Sequence, residues 1–203
     1  MKNVLLQALC VAICGLAGCA SPPLRYHTLV ASSVDALAPA APAAAFAIDV
    51  QPVGVPEQLD QRRLVIRQGS GGLAVLEGDR WGGSLGDELR SALSLALSRR
   101  LGALDVAGLS APAGRPVIRV KVQLRRLDAW PGDRAQLEAD WGLAPSGEAA
   151  PRSVCHSALE EATPGGLDET VRGQQRLVAR LAEQIAQAAE RADHACGVPA
   201  PAR

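Results

Sequence analysis

The sequence predicts an α+β fold: a largely antiparallel or mixed sheet with two main helices packed on one face, in a single domain. Two observations about pattern lead there. Alternation of apolar and polar residues recurs in several segments but helical spacing in only two, and the order runs several strands, a helix, three or four strands and a helix. Two helices are too few to cover both faces of a parallel sheet, so they are expected together on one side. Length and composition supply the third observation. The 203 residues suit one domain with a sizeable core, and with three Trp, one Tyr and one Phe that core must be built from alanine and leucine.

The first element is an apolar run, Val4 to Ile13, preceded by Lys2 and broken only by Gln7. A bilayer-spanning helix needs about 20 apolar residues, so this run is too short to span and fits the h-region of a secretory signal. The Leu16-Ala17-Gly18-Cys19 segment that follows resembles the lipobox of bacterial lipoproteins. The resemblance implies that residues 1–18 are a signal peptide and that Cys19 becomes the acylated N-terminus; the alternative is a plain secreted protein with a chance cysteine. Two or three acyl chains hold a protein stably, so the chain is anchored and does not span. Ala20 and Ser21 stand where an aspartate would favour inner-membrane retention in enterobacterial lipoproteins, which implies the periplasmic face of the outer membrane. Residues 19–25 form a lipidated tether, and the stretch from Cys19 to Tyr26 reaches about 20 Å at most.

The domain is expected over residues 26–196. Tyr26 to Val30 reads as a short strand and 31–45 as an Ala/Pro-rich loop. Phe46, Ile48 and Val50 alternate with Ala47, Asp49 and Gln51 in a half-buried strand stopped by Pro52. Arg63 to Arg67 and Leu73 to Leu76, separated by Gly69-Ser70-Gly71-Gly72, read as a hairpin. Ser84 opens a helix in which Leu85, Leu89, Ala92, Leu93, Ala96 and Leu101 share a stripe, and Gly102 ends it. A short strand is expected at Leu104 to Val106. In Pro116 to Leu127, Ile118, Val120, Val122 and Leu124 oppose Arg119, Lys121, Gln123 and Arg125. Pro131-Gly132-Asp133 turns the chain into a second alternating strand, Ala135 to Trp141, and strict alternation sets Arg125 near Glu138. Ser153 to Ala162 is a further strand, and a helix from about Asp168 to Arg191 carries Val171, Val178, Leu181, Ile185, Ala188 and Ala192. Residues 197–203 read as a disordered tail.

Of five cysteines, Cys10 and Cys14 leave with the signal and Cys19 takes lipid, which leaves Cys155 and Cys196. In an oxidising compartment they suggest a disulfide, which in the chain-entropy model contributes about 4 kcal/mol. Free thiols are a second reading. A zinc set with His156 and His194 is a third, opposed by geometry because Cys155 and His156, adjacent on a strand, point to opposite faces.

The charge balance of 21 basic against 21 acidic residues opposes nucleic-acid binding, and the shortage of aromatics opposes a stacking platform. No nucleophile elbow, phosphate loop or His-Glu-x-x-His motif occurs. Glu160 and Glu161 face opposite ways on a strand, poor geometry for paired acid and base. The chain reads as no enzyme, with no cofactor and no metal.

Ile48 to Asp60, then Leu64-Val65-Ile66-Arg67, Arg80-Trp81 and the Leu-rich helix ending Leu101-Gly102, with Tyr26-His27-Thr28-Leu29 after the lipobox, resemble the ABC-type transport auxiliary lipoproteins of the PqiC or YmbA type. The family pattern departs at Gln58, where an aromatic is usual, and at Gly82-Gly83. The resemblance implies an outer-membrane lipoprotein that docks, as a homo-oligomeric ring, with a PqiB-like MCE-domain protein and an inner-membrane permease system to move lipid across the periplasm. Trp81 and Arg67 are partner-surface candidates, set against readings as a core plug and a solvated cation. Two other functions stay open: a lipid-carrying or envelope-assembly lipoprotein with its own cavity, and an envelope scaffold of the TolB kind, for which fold analogy is the warrant.

Overall fold

The computed structural model describes residues 23–31, 42–69, 71–110, 113–148, 154–191 and 196. The readings placed on the signal segment 1–18, on Cys19 and the first part of the tether, on most of the 31–45 loop, on His194 and on the 197–203 tail lie outside the described residues.

Among the described residues, seven strands and two α-helices follow in the order β1 (Arg25–His27), β2 (Ala47–Val50), β3 (Arg63–Gln68), β4 (Gly72–Trp81), α1 (Leu85–Leu101), β5 (Val117–Trp130), β6 (Arg134–Pro145), β7 (Cys155–Ala162) and α2 (Leu167–Ala189), with one 3-10 turn at Glu57–Leu59. The α+β class and its two main helices are those the periodicity predicts. The strands divide into two mixed sheets, ordered β1-β4-β3 and β2-β5-β6-β7. Each sheet carries one parallel pair, β1 with β4 and β2 with β5.

The first helix starts and stops where its sequence signals stand. The Ser84 hydroxyl accepts from the Asp87 amide at 3.2 Å, satisfying an orphan donor of the first turn. Gly102 ends α1 in the left-handed region at φ 59°, which costs glycine little. Leu97, on the same stripe, is fully buried with Leu85, Leu89 and Leu93. The apolar stripe of α2 packs on β5, β6 and β7, while α1 packs on α2 and β2, so both helices cover the four-stranded sheet.

Position 173 shows how close α2 lies to the sheet: a Cβ on Gly173 would sit 2.3 Å from Cγ2 of Thr163. Between them, a buried relay closes the gap. Trp141 Nε1 donates to Ser157 Oγ at 2.8 Å, and Ser157 donates to Gln184 Oε1 at 2.5 Å, so β6, β7 and α2 share one satisfied polar chain.

Three local expectations change. In β5 a bulge falls between Leu124, paired with Ala139, and Arg126, paired with Glu138. Arg125 is the extra residue, so strict alternation misplaces it: Arg126 meets Glu138 at 3.2 Å, and Arg125 meets Asp140 at 2.7 Å. The bulge also lets Leu127 and Ala129 return to the core. The strand expected at Leu104 to Val106 reduces to a bridge between Ile48 and Asp105, in which the Asp105 carboxylate takes the Val50 amide at 3.2 Å and the Ser94 hydroxyl at 2.5 Å. Ala47, expected on the polar face of β2, is fully buried with Val106 and Val117, because this segment covers that face.

Candidate functional site

The N-terminal segment of the described domain is where the candidate tether meets the fold. β1 is three residues long and lies at the edge of its sheet, too short to hold by its ladder alone. Arg25 and His27 alternate away from Tyr26 and converge on Asp79 of β4. Arg25 donates to its carboxylate at 2.8 and 3.0 Å, and His27 Nε2 stands 2.9 Å away. Burial by itself pushes the Asp79 carboxyl up. The hydrogen bonds and charges of Arg25 and His27 outweigh it and hold Asp79 below the usual carboxylate range. The same contact raises Arg25.

The next residues are bound on the other side. Glu88, in the first turn of α1, accepts from the Thr28 hydroxyl at 2.7 Å and from the Leu29 amide at 2.9 Å. Gln175 of α2 donates to the Thr28 carbonyl at 2.8 Å, and the Gly82 amide donates to the His27 carbonyl at 2.9 Å. Leu29 itself is 1% exposed, a plug in the main core. Four residues are thus stitched to β4, α1 and α2 together. The glycine pair that departs from the family pattern has a use here: a Cβ on Gly82 would stand 2.9 Å from Oε1 of Glu88, the carboxylate that holds Thr28 and Leu29. These contacts fasten residues 25–29 to the packed core.

The sequence-predicted residues fall as follows. Trp81, at the end of β4, is 3% exposed and lies beside Leu59, Leu85 and Leu127, so its ring is a core plug and is not presented to a partner. Arg67 is not a solvated cation: its Nε donates to Asp128 at 2.8 Å, and Asp128 is buried, so the pair joins β3 to β5 and one sheet to the other. Cys155 and Cys196 are joined in a disulfide with a Cα separation of 5.5 Å, which ties the segment after α2 to the start of β7 and leaves neither sulfur as a thiolate ligand. His156 turns outward to Asp140 at 2.8 Å. Glu160 and Glu161 make separate contacts, with Gln136 and Arg176. Asp79, Glu88 and Gln175 were not singled out from sequence; the one local hint was the glycine pair before the α1 cap.

A second feature is an open groove of about 440 Å³ between the start of β5, the end of β6 and the end of α2, lined by Phe46, Pro116, Val117, Ile118, Pro145 and Ala189. Its walls are predominantly apolar. Among the described residues no helix is long and apolar enough to cross a membrane.

Residues 27–186 match the model of a family described as ABC-type transport auxiliary lipoprotein component. The fold is similar to a crystal structure of an uncharacterized protein, at TM-score 0.61 and 20% identity, covering 82% of this chain and 98% of that one. It is also similar to a Xanthomonas campestris protein, at TM-score 0.55 and 15% identity, covering 79% of this chain and 88% of that one. At these identities the likeness is one of fold. No curated protein matches the chain by sequence similarity.

Proposed function

The chain belongs to the family of ABC-type transport auxiliary lipoprotein components, and from that premise we propose that it is the docking component of an MCE-type lipid transport system, anchored through Cys19 to the periplasmic face of the outer membrane. In this reading residues 1–18 are removed, residues 19–25 are the tether, and the domain from 26 to 196 engages a PqiB-like MCE-domain protein fed by an inner-membrane permease, with copies assembling as a ring. The role is non-enzymatic, in keeping with the family. The observation that carries the proposal is the family match over residues 27–186, which begins inside the clamped segment next to the candidate lipobox. That segment gives an anchored component what it needs, a tether short enough to keep the domain near one membrane and an attachment that ends in core packing.

Crosslinking in intact envelopes followed by purification of the acylated protein tests this. Recovery of an MCE-domain protein is expected; a monomer with no such partner refutes it. The apolar groove beside Phe46 favours a second reading, a lipid carrier. Native mass spectrometry separates the two, because a carrier retains lipid stoichiometrically and a docking component does not.

A further inference from the structure

Aromatic side chains are scarce in this chain, and four of the five are withdrawn from solvent. Trp81 and Trp141 are buried, while Phe46 and Trp130 are half-buried. Tyr26 is 62% exposed. It stands on β1, seven positions from Cys19, and Leu24, two residues before it, is 46% exposed. Strand alternation separates this pair from Arg25 and His27, which turn the other way to Asp79. A tyrosine with an apolar body and a hydroxyl tip suits a boundary between apolar and wet surroundings.

The register adds a charge. Tyr26 pairs with Arg80 of β4, and Arg80 pairs with Arg63 of β3, so the three lie in one row across the sheet. Arg63 has a salt bridge with the exposed Glu77 at 3.5 Å. Arg80 has no ion pair among the described residues, and its Nε is buried without a hydrogen-bond partner. An unpaired guanidinium, partly covered by its neighbours, calls for an anion that offers several oxygens, as a phosphate does.

We propose that this face of the three-stranded sheet rests on the headgroup layer of the membrane that holds Cys19, with Leu24 and Tyr26 entering the interface and Arg80 taking a phospholipid phosphate. The inference rests on the anchored-lipoprotein reading. Covalent geometry supplies the occupant: the six residues between Cys19 and Tyr26 reach about 20 Å at most, so Tyr26 cannot leave the neighbourhood of the bilayer surface. The surface contact sets the orientation of the domain, which acyl chains alone do not.

The test uses the full-length acylated protein in vesicles of phosphatidylethanolamine and phosphatidylglycerol carrying brominated lipid. Mass measurement of the N-terminal peptide first reports acylation; an unmodified Cys19 overturns both the anchor and this proposal. With acylation present, Tyr26→Trp should be quenched by about half, while Leu73→Trp, exposed at the opposite end of β4, should stay unquenched. Arg80→Gln in the Tyr26→Trp background should lower that quenching at least twofold with the circular dichroism spectrum unchanged. Absence of quenching at position 26 in an acylated protein overturns the proposal and leaves the anchor standing. Efficient crosslinking of two copies through Tyr26→Cys overturns it in favour of a contact between protomers.

Discussion

Asp79→Asn tests the clamp on β1. The carboxylate side chain is 9% exposed and receives Arg25 at 2.8 Å and His27 at 2.9 Å. Hydrogen bonds to a charged group contribute about 1.5–3 kcal/mol each. The Arg25 side chain is 58% exposed, so water replaces much of what it loses, while an asparagine oxygen still accepts from His27. The expected loss is therefore about 2 kcal/mol at neutral pH, toward the low end of that scale. With a urea slope of about 1–3 kcal/mol per molar, the midpoint should fall by about 1 M in unfolding followed by far-ultraviolet circular dichroism. The pH dependence identifies the cause. Asp79 titrates below its ordinary value in the folded state, so its contribution is complete above the unfolded pKa of about 4 and is lost as the pH falls through the lower folded value. Wild type and variant should converge in acid. A gap that does not narrow as the pH falls below about 4 would mean that packing, not the ion cluster, holds β1; a gap under about 0.5 kcal/mol at pH 7 would mean that the cluster contributes nothing beyond a surface pair.

Replacing Cys155 and Cys196 together by alanine should cost up to about 4 kcal/mol for a bridge that spans 41 positions, read as a lowered thermal midpoint that reductant no longer shifts. Deleting Arg125 should be tolerated with a small loss of stability, because it removes the bulge and leaves Leu124 and Leu127 on their faces. Deleting Gln123, two residues earlier, reverses the phase of the strand on one side and should abolish the cooperative melt. Gly173→Ala forces a methyl group to 2.3 Å from Thr163 and should destabilise by about 1–3 kcal/mol in urea titration.

What was legible in the sequence is what short-range physics controls. The α1 boundaries follow from Ser84 and Gly102, whose cap geometries involve residues within one turn. The buried faces of β5 and α2 follow from side-chain period, since a face that must leave water shows its spacing wherever it packs. The α+β class follows from the order of those elements.

Period says which face is buried and is silent about which strand lies alongside. The split into two sheets depends on two parallel pairings between strands far apart in the chain, β1 with β4 and β2 with β5. The bulge shifts partners by one residue at Arg125-Arg126, where strict alternation assigns Glu138 to Arg125 and the chemically identical Arg126 takes it instead. Asp79 and Glu88 read as ordinary acids; they become the clamp because β1 arrives beside β4 and α1 from more than fifty positions away. Sequence leaves Trp81 open as core plug or partner contact, and its burial beside Leu59, Leu85 and Leu127 makes it a plug. Local chemistry thus determined the elements and the buried faces by itself. Pairing across long loops, whose closure costs entropy that only a whole core repays, was decided by the tertiary structure, and with it the place where residues 25–29 join the fold.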